Sequence, residues 1–177
     1  MLLRAATLDD VIPLNQLVEL SVRQLSKGHY APAQIDSAIR YVFGVDTQLI
    51  ADETYFVAEQ GGQVVGCGGW SKRNTLYGGD QSKKSSDPLL APQQDAARIR
   101  AFFVHPAWAR QGIGTRIMHQ CEEAAWQAGF RRLELASTLP GEPLYAALGY
   151  VSREHFVLPF PDGEQLALIR MDKLLPA

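Results

Sequence analysis

Glycines 112 and 114 flank Ile113 where a β-rich run, 98–104, passes through His105-Pro106 into a strongly helical pattern. Glycine at such a turn lets the chain direct its amides inward, and the helix that begins there adds unpaired N–H groups and the positive end of its dipole. The chemistry on offer is the grip of a phosphate or diphosphate by main-chain donors, with Arg110 as a nearby cation. Glycines at a strand-to-helix turn also serve tight packing, so the spacing alone does not assign a ligand. Two other phosphate-binding patterns are absent. A dinucleotide fingerprint needs a third glycine where Ile117 stands, and the nucleotide-hydrolase loop needs Gly-Lys-Ser/Thr.

The rest of the chain has to hold that turn in place. Its 177 residues, 46% hydrophobic and 20% charged, suit one globular domain spanning 1–177. Residues 2–5 read as a short strand, and Thr7-Leu8-Asp9-Asp10 resembles a capping box. Val11, Leu14, Val18, Val22 and Leu25 recur at helical spacing, and a second helix begins near Pro32 and stops by Gly44, leaving His29 and Tyr30 in the loop between. Residues 55–59 and 64–70 form a strand pair around Gly61-Gly62. The polar stretch 74–94 is long for a connection inside a compact domain, and reads as either a functional lid or a tolerated disordered insert. The strand 98–104 follows, then a helix over 113–128 stopped by Gly129, a strand at 132–136, a small helix near 143–148 and a last hairpin, 156–160 with 165–171. Elements in this order predict a mixed α+β fold: one twisted, partly antiparallel sheet with helices on its faces.

Bulk charge narrows the partners. A net charge of −2 offers no broad attraction to nucleic acid or anionic lipid. The N-terminal apolar run is too short for a signal peptide and no run of 18 apolar residues occurs, so the expectation is a cytoplasmic protein with no membrane or nucleic-acid partner. Cys67 and Cys121, without metal-ligand spacing, read as packing thiols, and no metal site is expected.

The segment Val104-His105-Pro106 followed by Ala109-Arg110-Gln111-Gly112-Ile113-Gly114 resembles the central motif of the GNAT superfamily of N-acetyltransferases. There a strand ending in Val-His-Pro leads into Arg/Gln-x-x-Gly-x-Gly/Ala and a helix; in this chain the usual Arg or Gln position holds Ala109, with Arg110 one place later. The resemblance implies the GNAT fold, mostly antiparallel, with the fourth and fifth strands splayed apart. It implies acetyl-CoA as co-substrate, its diphosphate held by the 109–115 segment through Thr115, and its amide-rich arm paired with Phe102, Phe103 and Val104. An amide at Val104 would then face the developing oxyanion. Leu144-Tyr145-Ala146-Ala147-Leu148-Gly149-Tyr150 resembles a second motif of the superfamily and marks Tyr145 as the candidate general acid for the leaving thiolate, also close to the cofactor.

The same resemblance implies transfer of an acetyl group to a primary amine, of a small molecule or a protein, by direct attack without a covalent enzyme intermediate. A catalytically weak acyl-CoA sensor is the alternative, because the glutamate that serves several members as base is replaced here by Arg98. Asp95, Glu134, His105 and His29 are chemically able to serve, and each has an ordinary structural reading. His29, Tyr30, Trp70, Arg73 and the 74–94 stretch are expected around the acceptor's mouth. Members often dimerise through terminal strands; the apolar run Leu166-Ala167-Leu168-Ile169 would suit a shared sheet, or equally a buried core.

Overall fold

The computed structural model describes residues 1–83 and 86–177. In chain order it contains β1 (Leu2–Ala5), α1 (Val11–Leu25), α2 (Pro32–Tyr41), α3 (Thr47–Ala51), β2 (Tyr55–Gln60), β3 (Gln63–Ser71), β4 (Ala97–Val104), α4 (Ile113–Gln127), β5 (Arg132–Thr138), α5 (Glu142–Ala147), β6 (Val151–Pro159) and β7 (Gln165–Leu174). Short 3-10 turns lie at Leu8–Asp10, Asp80–Ser82 and Pro106–Trp108. The strands form one sheet in the order β1-β2-β3-β4-β5-β7-β6, antiparallel throughout except for β4 and β5. This is the mixed α+β architecture that the element order predicts.

Strand periodicity decides which helix covers which face. Val57 and Cys67 turn their side chains to the cluster containing Leu14 and Leu17 of α1, whereas Ala58, next to Val57, joins Ile113, Ile117, Met118 and Cys121 of α4, as does Val65 at the bulge where the β2–β3 register shifts. Helices α1 and α4 therefore lie on opposite faces of the sheet. Two glycines of β3 allow α4 its close approach: a Cβ on Gly66 would lie 2.6 Å from Ile113, and one on Gly68 would lie 2.9 Å from Ile117 and 2.7 Å from Phe102. Both cysteines are fully buried, Cys67 of β3 beneath α1 and Cys121 on the sheet-facing side of α4. The β2–β3 hairpin turns on Gly61 and Gly62, both at positive φ, as the pair requires.

Three features go beyond the residue pattern or choose between its alternatives. Helix α3 carries no strong apolar period and is not foreseen; it is nucleated by Asp46, whose carboxylate accepts the Gln48 N–H at 2.9 Å. The 74–94 connection is a bonded strap rather than a loose insert, apart from Lys84 and Ser85, which lie outside the described residues. Its amides at Gly79 and Asp80 donate to Val42 and Val45 at 2.8 and 3.0 Å, and Asn74 and Leu90 bond to Pro88 and Lys72. The run Leu166-Ala167-Leu168-Ile169 belongs to β7, an inner strand between β5 and β6, and Leu166, Leu168 and Ile169 are core residues. The apolar run thus answers to burial, and the free sheet edge on that side is β6. Among the described residues no helix is long and apolar enough to cross a membrane.

Candidate active site

Strand β4 departs from β5 almost as soon as they meet. Their parallel ladder has two positions, Ala97 with Leu133 and Arg98 with Glu134, and beyond Arg98 the strands separate. The cause is a bulge on β4. Cys67 faces Phe103 while Gly69 faces Arg100, so Ala101 and Phe102 share the place opposite Gly68, and Ala101 adopts φ 54°. A left-handed alanine is strained and persists only where its surroundings hold it. Here the Ala101 carbonyl accepts the hydroxyl of fully buried Tyr55 at 3.2 Å and the Cys67 thiol at 3.7 Å. Burial pushes that thiol up to about 12, so it stays protonated and able to donate. At the other end of β4, His105 N–H returns to Val65 at 2.9 Å, and by strand alternation the amide and carbonyl of Val104 face away from β3, into the gap.

The turn after β4 is built from main-chain geometry. His105 Nδ1 accepts the Ala107 N–H at 3.1 Å and caps the short turn Pro106–Trp108. Arg110 and Gly112 then adopt φ 62° and 81°, and α4 starts at once. The first intrahelical acceptor at that end is Gly112 O, taken by Arg116 N at 3.1 Å, which leaves the amides of Ile113, Gly114 and Thr115 as free helix-start donors. No acidic side chain sits in the first turn of α4 to compete for them. Gly114 has a packing role too, since a Cβ there would approach Leu144 of α5 at 3.0 Å.

Helix α5 presents Tyr145, whose ring meets Phe102 and Tyr150 edge-on at 6.3 and 6.1 Å. Burial raises the phenol well above its ordinary range, with Cys121 adding to the effect, so the group is a neutral proton donor at physiological pH. Its hydroxyl bonds to no described residue. A cleft of about 700 Å³ is lined by Tyr145, by β4 from Ile99 to Val104, by the α4 start, and also by α1 residues such as Ser21 and its C-cap Ser26. Since α1 and α4 occupy opposite faces, a cleft touching both runs through the sheet, in the opening between β4 and β5. The shape offers an anion cradle on one face, a freed strand edge in the middle and a proton donor beside it.

Most residues expected at the site meet in this cleft: 102–104, the segment 109–115 apart from Gln111, Tyr145 and His29. Gln111 instead turns outward, its amide 3.4 Å from Ala107 O. Tyr30 and Trp70 do not line the cleft. Tyr30 is 7% exposed and pins the α1–α2 loop, donating to Ala167 O at 2.6 Å and accepting from Leu139 N at 2.9 Å. Trp70 is a core residue edge-on to Phe130, because the β3 alternation points it toward α4. Arg73 is bonded to Asp52 and to Asp87 O. Among the candidate bases, Glu134 is clamped by Arg98 at 2.7 Å and by Arg170, Asp95 accepts the Ala91 N–H at 2.7 Å, and His105 is held by its cap. Ser21, Ser26, Phe43 and Arg100 also line the cleft and were not foreseen from the residue pattern, whereas the strap residues 76–78 belong to the 74–94 stretch expected at the acceptor's mouth. Only the strap carried a signal, its unusual length.

Opened strands, a helix-start cradle and a phenol at their junction define the architecture of an acyl-CoA-dependent transferase. The family model described as the acetyltransferase (GNAT) family matches residues 15–150, and the chain belongs to that family. No curated protein matches it in sequence. Among solved structures, the GCN5-related N-acetyltransferase of Rhodopseudomonas palustris superposes with a TM-score of 0.72 at 20% identity, over 98% of this chain and 95% of that one. YncA from Salmonella typhimurium, determined with its cofactor acetyl-CoA, gives 0.65 at 16%, over 100% and 95%. The ribosomal-protein-S18-alanine N-acetyltransferase of Escherichia coli gives 0.61 at 15%, over 99% and 94%. At these identities the likeness is one of fold. Among the described residues no cluster of three or more His, Cys, Asp or Glu is arranged to hold a metal ion.

Proposed function

We propose that the chain transfers the acetyl group of acetyl-CoA to a primary amine by direct, sequential attack. The observation that carries this reading is the cleft through the sheet, which joins the α4 cradle, the unpaired edge of β4 and the Tyr145 hydroxyl. When bound, acetyl-CoA supplies a thioester whose acyl carbon accepts the lone pair of a neutral amine, so that a C–N bond forms as the C–S bond breaks.

The residues fit such a co-substrate. Amides of Ile113, Gly114 and Thr115 grip the diphosphate, helped by the helix dipole, with Arg110 as a local cation. Phe102 and Val104 lend main-chain groups to the amide-rich arm, replacing the partner strand that β5 does not provide there. The Val104 N–H, turned into the gap, would donate to the thioester carbonyl oxygen as negative charge grows on it, an interaction worth on the order of 3 kcal/mol of barrier. Tyr145 gives its proton to the departing sulfur, and the proton lost by the amine leaves toward solvent.

Tyr145→Phe tests the assignment. We expect kcat to fall on the order of a hundredfold while acetyl-CoA affinity, measured by calorimetry, changes less than about twofold. Unchanged kcat would remove Tyr145 from the chemistry, tight binding with no turnover on any amine would mark a sensor, and no binding at all would overturn the reading.

A further inference from the structure

Beyond the family's general chemistry, the cleft has a composition that selects among amines. Among its described lining residues none is Asp or Glu. The carboxylates close to it are engaged elsewhere. Asp46, 1% exposed, is bonded to Arg100, Lys83 and the Gln48 amide; Asp80 holds Thr47, and Asp87 holds Thr75 N. Arg100 is equally committed, its guanidinium bound to Asp46 at 3.1 Å, Thr75 O at 3.2 Å and Gly78 O at 2.6 Å. On the α1 face the lining is instead Val22, Leu25, Phe43, Phe103, Leu76 and Tyr77. Phe43 and Phe103 meet edge-on at 5.8 Å.

Two polar groups interrupt this wall. Ser21 and Ser26 are each 4% exposed, line the cleft, and have hydroxyls that hydrogen-bond to no described residue. Their oxygens reach the cleft surface, since the one fully buried side-chain N or O without a partner among the described residues is Trp70 Nε1, and hydroxyls that open on the cleft can hydrogen-bond a ligand's neutral polar atoms. His29, just beyond Ser26 on the same wall, adds an imidazole.

We propose that the acceptor is a monoamine carried on an aromatic or aliphatic body with one or two neutral hydrogen-bonding groups, and that polyamines, lysine-rich peptides and amino acids with a free carboxylate are poor acceptors. This rests on the acetyltransferase reading above. A second ammonium would leave water for a wall with no counter-charge, and a carboxylate on the α1 side would find the Arg100 guanidinium already satisfied. An apolar ring loses nothing polar on entry and stacks against Phe43, Phe103 and Tyr77.

The test is an acceptor panel at fixed acetyl-CoA, read as kcat/KM: phenethylamine, tryptamine and a hydroxylated analogue against spermidine, a lysine peptide and free amino acids. We expect arylalkyl monoamines to exceed spermidine on the order of a hundredfold. Ser26→Ala should cost the hydroxylated analogue on the order of tenfold more than phenethylamine. Leu76→Asp should shift the preference toward spermidine on the order of tenfold or more, and Tyr77→Glu, on the same strap, should do the same. Calorimetry with acetyl-CoA is run on every variant, so that loss of the fold or of the acetyltransferase reading shows as lost cofactor binding. Retained binding with spermidine or the lysine peptide preferred by the wild type, with no monoamine turned over, or with no shift in either acidic variant, overturns the proposal.

Discussion

Gly112 and Tyr145 illustrate two ways in which one residue can be irreplaceable. At Gly112 the demand is conformational: a Cβ placed there would meet nothing within 4 Å, yet φ is 81°, where any other L residue is strained. Gly112→Ala should therefore cost about 1 to 2 kcal/mol, lower Tm by several degrees, and weaken acetyl-CoA binding on the order of tenfold as the cradle amides turn away. Denaturation and calorimetry on one preparation separate the two effects. At Tyr145 the demand is chemical, because burial keeps the phenol protonated and the hydroxyl has no described protein partner to satisfy it. Gly112 stands out in the sequence through its place at a strand-to-helix turn, and Tyr145 through the resemblance of 144–150 to a motif of the family. Ser21 and Ser26 do not, since a serine on an amphipathic helix gives no sign of whether its hydroxyl will find a partner.

Elements are held to the site by a few ionic clamps, and these can be cut singly. Arg100 ties β4 to the strap and to the N-cap of α3 through Asp46. Removing its charge by Arg100→Met leaves a buried carboxylate with Lys83 as its remaining cation. The expected loss is about 3 kcal/mol in urea denaturation, with faster hydrogen exchange at Gly79 and Asp80 before the sheet is affected. A second clamp joins β1 to the start of α1. Arg4 bonds Asp10 at 2.8 Å and Glu59 at 2.7 Å, and Asp10 also accepts the Thr7 N–H. The Arg4 hydrogen bond is the main reason the Asp10 carboxyl is lowered from its ordinary 3.8 to about 2. A depressed carboxyl adds stability that is complete above its unfolded value and is lost as pH falls toward its folded value, so the window runs from about pH 4 down to about 2. Because Arg4 is partly exposed, the contribution is about 1 to 2 kcal/mol, and Asp10→Asn should remove that part of the acid-side slope in denaturation curves taken across the window. The capping box at 7–10 is legible from residue types, whereas the reach of Arg4 to Glu59, across the β1–β2 pair, depends on register.

At the scale of the molecule, the cleft couples binding to stability. A ligand that bridges α4, β4 and α5 binds only the folded chain, so acetyl-CoA at about a hundred times its Kd should add about 2.7 kcal/mol and raise Tm by about 5 to 10 °C. An equal shift with inorganic diphosphate would mean that the arm and the β4 edge contribute nothing. By itself the sequence determined most of the succession of strands and helices, α3 excepted, and the glycine turn before α4, because periodicity, caps and φ-restricted residues are local properties of the chain; Tyr145 was marked by the resemblance of 144–150 to a motif of the family. Only the tertiary structure decided that Tyr30 and Trp70 serve packing, that the apolar run of β7 is core, that the polar stretch is a strap bound to Arg100, and that the α1 side of the cleft lacks a carboxylate among its described residues. Those outcomes depend on which side of a strand faces which helix, and on partners 22 to 137 residues apart in the chain, such as Arg100 with Gly78 and Tyr30 with Ala167. Contacts of that range are fixed by the register of the whole sheet, and no local pattern records them.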